Sequence, residues 1–239
     1  EIARAAMLFR PYMLSDPGFN EGVLEFSLYY ELIDRMRLQP EARLREAAAQ
    51  IARGIERAVE AGATEEAGRL LIDWVKNERL QLHMKQVARL MKCWAAEREQ
   101  LSETDQWRWE MAGLLHDADW DQWPEQHCKK IIEELEARNV DPEIIHAIAS
   151  HGPNHFGVEP VTRMDKMLYA FDELSGLIHA YSLMRPEGYA GMELKGVKKR
   201  LKEKSFAANV SREEIADALN RAGIEMDEII PFIIEKQQM

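Results

Sequence analysis

Apolar residues recur every three or four positions along almost the whole chain, and no stretch alternates apolar with polar residues between turn pairs as a strand would. Such a chain can bury its apolar stripes only by packing helix on helix, so the expected fold class is all-α. Glycines and prolines fall between the periodic segments and mark the joints. Helices are expected at Leu24–Met36 and Glu41–Ala61, and then at 65–76, 79–99, 104–117, 124–138, 142–151, 163–184, 193–203, 211–221 and 226–237. Gly62 reads as a helix-terminating glycine, and Thr64 followed by Glu65 and Glu66 as a fresh start. That joint divides the chain into an N-terminal helical extension, 1–62, and a main domain, 63–239. Asp141 before Pro142 marks another helix start, and Ser211 with Glu214 has the spacing of a capping box.

Charge narrows the partners. Lys and Arg number 31 against 42 Asp and Glu, a net charge of −11, which excludes a uniformly basic nucleic-acid platform. No apolar run reaches the length of a bilayer span, so no membrane association is expected. The 2 cysteines, Cys93 and Cys128, form no CxxC pair, which points to a reducing, cytoplasmic setting.

The 7 histidines are more informative. His83 shares a helix face with Val87, Leu90, Met91 and Trp94, and His127 shares one with Ile131 and Leu135. His151 follows Ile144 and Ile148 on an inward face, and His116 closes the apolar run that begins at Met111. His146 shares its row with Ser150, and His155 lies in the loop Gly152–Pro160. A lone inward histidine is ordinarily a satisfied core residue. Several of them on separate helices need a shared partner, because burying an ionisable ring alone is costly. A metal in a bundle core supplies that partner.

Asp117 follows His116 directly, and adjacent helical residues point about 100° apart, so both reach one metal only where the helix ends. Asp172 adds a carboxylate on an apolar face with Leu168 and Ser175, whereas Glu173 points elsewhere. Mixed imidazole and carboxylate ligands suit Mn, Fe, Co, Ni or Zn without selecting among them. Trp107, Trp109, Trp120 and Trp123 flank the His116-Asp117 turn, as packing residues or as a base-stacking wall.

The order His83, His116-Asp117, Asp172 resembles the signature of the HD superfamily of helical, metal-dependent phosphohydrolases. The segments LIDWVKNERLQLHMKQVARLM (71–91), WEMAGLLHDADWDQWPEQH (109–127), IIHAIASHG (144–152), DKMLYAFDELSGLIHAYSLMRP (165–186) and VKKRLKEKSFAANVSREEI (197–215) are similar to an HDIG-type subgroup. The resemblance spans about 65–239 and implies an HD-domain helical bundle behind the N-terminal extension. It implies that His83, His116, Asp117 and Asp172 bind one metal, with His116 and Asp117 also catalytic, and that His127 and His151 hold a second. Where relatives often read His-Asp-Ile-Gly-Lys, this chain has Ala118-Asp119-Trp120 after Asp117, and Gly152 stands where a second histidine is common.

The resemblance implies hydrolysis of a phosphomonoester or phosphodiester of a small, nucleotide-like substrate. The basic run Lys195–Lys204 stands out from the acidic average, and Arg185, Lys198 and Lys199 are candidate phosphate contacts. A di-iron oxygenase using His127 and His151, or a non-catalytic sensor, is the alternative. Residues 1–62 suit partner binding or homodimerisation.

Overall fold

The computed structural model describes residues 42–238 of the chain. The helices are α1 (Ala42–Trp74), α2 (Glu78–Glu97), α3 (Glu103–Leu115), α4 (Lys129–Ala137), α5 (Pro142–Ala149), α6 (Pro153–Phe156), α7 (Arg163–Leu183), α8 (Leu194–Lys202), α9 (Arg212–Ala222) and α10 (Met226–Lys236), with a 3-10 turn at Pro124–Gln126. No strand occurs among the described residues, so the all-α expectation holds. The helix expected at Leu24–Met36 lies outside the described residues.

Helix α7 is the hub, packing against α2, α5, α8, α9 and α10. Met167, Leu168, Phe171, Leu174, Leu177 and Ile178 are fully buried along it, as are Met84, Val87, Leu90 and Met91 on α2. Each such side chain contributes about 1.5–3 kcal/mol of burial. Thr162 starts α7 with a reciprocal capping box, its hydroxyl accepting from Asp165 N–H while the Asp165 carboxylate accepts from Thr162 N–H. Asp141 caps α5 by accepting from Glu143 N–H, with Pro142 in the first helical position.

Helices α2 and α3 meet at Gly113. A Cβ there would lie 2.8 Å from the Ala88 Cα and backbone nitrogen, so only glycine permits this approach. The contact matters because α2 carries His83 and α3 delivers His116.

Three sequence expectations change. The break at Ala61–Thr64 is absent, and α1 runs through it for 33 residues. Thr64 acts as an interior residue, its Oγ1 donating to Glu60 O at 2.7 Å and accepting from Trp107 Nε1–H at 2.8 Å. Glycine costs an exposed helix about 1 kcal/mol, which the tertiary contact with Trp107 helps to offset. The helix expected at 124–138 divides into the 3-10 turn and α4, separated at His127-Cys128. Cys128 supplies no side-chain cap for α4; Asp119 does so from a distant turn, accepting from Ile131 N–H at 2.9 Å. The Ser211 capping box is half made. Its Oγ accepts from Glu214 N–H, but its own N–H donates to Glu173 Oε2 at 3.3 Å.

Candidate metal centre

The ligand candidates arrive from separate pieces of backbone, except His116 and Asp117, which are adjacent. His83 sits early in α2, whose first turn is capped by Asn77 Oδ1. Helix α3 ends at Leu115, with His116 as its C-cap still in helical φ/ψ, and Asp117 follows in the turn. The Asp117–Trp123 turn is pinned to the start of α2 by Asp121 Oδ2, which accepts from Lys76 N–H at 2.6 Å and Asn77 N–H at 2.9 Å. His127 leaves the 3-10 turn, His151 follows α5, and Asp172 lies mid-way along α7.

The six side chains form two clusters that share Asp117. His83, His116, Asp117 and Asp172 make one and Asp117, His127 and His151 the other; in each, the candidate ligand atoms all lie within 4.8 Å of one another. The two Asp117 oxygens are divided between them. Oδ2 lies 3.4 Å from His116 Nε2 and 3.8 Å from His83 Nε2. Oδ1 lies 3.3 Å from His127 Nε2 and 3.6 Å from His151 Nε2. Asp172 Oδ1 stands 2.9 Å from His83 Nε2 and 3.4 Å from His116 Nε2.

Backbone and carboxylate acceptors fix three of the rings. His116 Nδ1 is 2.8 Å from Gly113 O, His151 Nδ1 is 2.6 Å from Ile148 O, and His127 Nδ1 is 2.6 Å from Asp119 Oδ1. Those oxygens can only accept, so each Nδ1 carries the hydrogen and each neutral ring turns its Nε2 lone pair toward Asp117. A lone pair facing a carboxylate needs a cation between them, either a proton or a metal. His116 Nε2 is fully buried and has no hydrogen-bond partner. That orphaned atom, and a donor set of imidazoles and carboxylates, fit a divalent metal.

Without metal, protons fill the role. Burial alone would lower the His116 imidazole, but Asp117 and then Asp172 hold it up at about 9. Burial likewise opposes the charge on His127, and Asp117 and Asp119 hold it at about 9. Burial would raise Asp117, yet His116, His127 and His151 keep its carboxyl well below the usual range.

Asp119 is the residue the sequence reading missed. It is fully buried, orients His127 through one oxygen and caps α4 through the other. A carboxylate behind a ligand histidine fixes its tautomer and raises its basicity. The available signal was a second acid in the turn, two residues beyond Asp117 and between Ala118 and Trp120.

A pocket of about 560 Å³ opens over the clusters, with Trp120, Phe156, Tyr169, Glu173, Asn209 and Glu214 among its lining residues. Phe156 packs on His127 and His151, each at 5.1 Å between ring centroids. Gly152 allows this, since a Cβ there would meet the Phe156 ring at 2.7 Å. Of the four tryptophans near the turn, only Trp120 lines the pocket; Trp109 is buried and Trp123 packs on Trp74. Glu173, expected to point away, lines the pocket beside Asp172; burial first, then Asp172 and Glu214, raise its carboxyl to about 8.

The remaining histidines stand apart from the clusters. His146 pairs with Asp165 at 2.9 Å and His179 bonds Tyr189 OH at 2.8 Å. His155 pairs with Glu214 at 2.9 Å on the pocket rim. Arg185, Lys198 and Lys199 do not reach this pocket and line a separate groove. Helix α8 turns Val197 into the core, which forces its lysines to the other side.

A family model described as HD domain matches residues 81–177. This segment is similar to the HD domain family. All six ligand candidates fall inside it, whereas Asn209, Val210 and Glu214 of the pocket wall and the whole of α1 lie outside. HD domains bind divalent metals, in keeping with the two clusters. No curated protein and no solved structure matches the chain. No helix among the described residues is long and apolar enough to cross a membrane.

Proposed function

We propose that this protein is a metal-dependent phosphohydrolase of the HDIG type, acting on a phosphomonoester or phosphodiester of a small, nucleotide-like substrate. The observation that carries the reading is the division of Asp117, one carboxylate oxygen toward each ligand cluster. His83, His116, Asp117 and Asp172 would hold one ion, and Asp117, His127 and His151 a second. A bound divalent metal supplies Lewis-acid polarisation of a phosphoryl oxygen and an acidified water.

The protein's own residues set the rest. Asp119 and the Gly113 and Ile148 carbonyls keep three Nε2 lone pairs aimed inward. Phe156 and Trp120 shield His127 from bulk water. Among the described lining residues there is no Lys or Arg, so the pocket leaves phosphate charge to the metals. Trp120, Tyr169 and Phe156 offer aromatic faces, while Asn209, Glu173 and Glu214 offer acceptors for hydroxyl or amino hydrogens. The pocket volume suits a small molecule.

The test is metal-free protein reloaded in turn with Mn, Co, Fe, Ni and Zn and screened against phosphomonoesters and phosphodiesters. Hydrolysis that depends on metal and falls at least about a hundredfold in Asp117→Ala, beyond the 10–100-fold range of an outer-shell change, is the expected result. No turnover with any of the ions would sink it. The second cluster also favours one rival, a di-iron oxygenase; copurified iron with oxygen-dependent loss of substrate would identify that instead.

A further inference from the structure

Apart from the metal pocket, a groove of about 780 Å³ lies between Tyr181, Arg185 and Glu193 on one side and Lys195, Lys199 and Lys202 on the other. It shares no lining residue with the metal pocket. We propose that this groove is a second binding site, for a chain of closely spaced phosphates such as the oligophosphate of a nucleotide or inorganic tripolyphosphate.

The lysines fall at positions i, i+3, i+4 and i+7 of α8, so they form one row along one face. The row spans about 10 Å at the helical rise, and an oligophosphate is an extended anion of matching scale. Lys195, Lys199 and Lys202 are exposed and Lys198 is half-buried. Here the chain after α7 folds back and supplies an opposite wall. The Arg185 guanidinium donates to Gly188 O at 2.9 Å and Ala190 O at 2.7 Å, fixing that turn, and Gly191 passes through it with φ +63. Gly196 brings Tyr181 against α8, since a Cβ there would meet the Tyr181 hydroxyl at 2.8 Å.

The charge in the groove is only partly compensated. Lys198 pairs with Asp227, but Lys195, Lys199 and Lys202 make no ion pair among the described residues. Glu193 is the single acid of the lining, against four lysines and Arg185. Like charges at these helical spacings repel one another, and the chain as a whole carries −11. Lining one groove with the lysines creates a local potential that an anion of several charges answers better than a single phosphate. The one aromatic ring of the lining, Tyr181, already has the Arg185 and Arg200 guanidiniums over it, so the site reads the phosphate chain and not a base.

The test is calorimetric titration of the full, metal-free chain with orthophosphate, tripolyphosphate, a nucleoside triphosphate and a single-stranded oligonucleotide. Tripolyphosphate should bind at least about tenfold more tightly than orthophosphate, weakening with salt. The nucleoside triphosphate should match it within roughly threefold, because the base finds no free platform. Lys195→Glu/Lys199→Glu should weaken tripolyphosphate at least about tenfold, while Lys129→Glu/Lys130→Glu, which alters net charge equally on α4, should not. Circular dichroism checks that both variants are folded. Asp117→Ala should bind as the parent does, which keeps this outcome separate from that of the metal pocket. Absence of tripolyphosphate binding, equal losses in both charge-reversal variants, or binding of the oligonucleotide alone would overturn the proposal.

Discussion

Helix α7 serves two concave sites of opposite character. Toward its middle, Asp172 and Glu173 face a pocket of carboxylates and imidazoles without a Lys or Arg among the described lining residues. At its C-terminal end, Tyr181 and Arg185 face a groove whose other wall is a row of lysines. The first site is built from buried groups that hold one another: His116 and Asp119 are fully buried and His151 nearly so. The second is built from exposed lysines facing a wall held by loop geometry. The difference teaches that concentrated charge in this fold has two origins. In the pocket it is enforced by burial, where an unpaired group is costly. In the groove it follows from amphipathicity, because α8 commits its apolar face to the core and has one side left for its lysines.

The comparison is broken most severely at Gly113. Gly113→Ala places a methyl within 2.8 Å of the Ala88 backbone and pushes α2 from α3. Overpacking of this kind costs about 1–3 kcal/mol. His83 and His116 separate with it, so bound metal should fall sharply, measured on protein reloaded with Mn or Zn. Tripolyphosphate binding at the groove should be retained. A Gly113→Ala protein with full metal content would show that the α2–α3 approach does not set the site.

Asp119→Asn is subtler. The side chain keeps its shape and can still accept from Ile131 N–H, so α4 keeps its cap. Its amide then faces His127 Nδ1 as a donor, which reverses the tautomer and puts a hydrogen on Nε2, where the metal needs a lone pair. The second ion should weaken by roughly 10–100-fold, with the first ion little changed. Titration of metal-free protein would resolve two steps in the parent and one at low concentration in the variant. Equal weakening of both ions would mean that Asp119 acts on the whole centre.

These residues show what the sequence made legible. The candidate ligand set could be read because helical period turns His83, His116, His151 and Asp172 inward, and an inward ionisable group demands a partner. Helix positions followed for the same reason, to within a few residues for most elements. Asp119 was not legible because its two bonds join residues 8 and 12 positions away across an irregular turn. Glu173 was misplaced because a pocket wider than one helical face receives two adjacent residues. Gly62 misled because local termination chemistry was overridden by Thr64 and Trp107. The lysine row was visible as charge, but only tertiary structure shows that it lines a different cavity from the ligands.

A smaller effect concerns protons. His116 and His127 stand at about 9 in the metal-free protein, raised from 6.5. A group raised on folding contributes stability that is complete below its unfolded pKa and is lost as pH rises through the folded value. Metal-free protein should therefore lose melting temperature between about pH 6.5 and 9. Metal binding requires the neutral rings, so its affinity should rise across the same window. The melting-temperature gap between loaded and metal-free protein should widen with pH. A gap that stays flat would mean that the imidazoles do not carry the metal, and Lys195→Glu/Lys199→Glu should leave the gap unchanged.

The smallest expected effect is the sharpest on the boundary between the two sites. If Arg185, Lys198 and Lys199 served the substrate of the metal pocket, reversing two of them would weaken substrate binding directly. The structure puts them in a groove that shares no lining residue with that pocket. Screening at physiological salt acts over about 8 Å, so their field at the pocket is largely damped. Lys198→Glu/Lys199→Glu should thus leave the KM of a cleaved phosphoester within about twofold. Loss of the exposed Lys198–Asp227 pair should cost at most about 1 kcal/mol of stability. Lowering the salt sharpens the result, because a residual long-range effect would grow while a direct contact would already be large at high salt. A KM raised tenfold or more at physiological salt would merge the two cavities into one extended site.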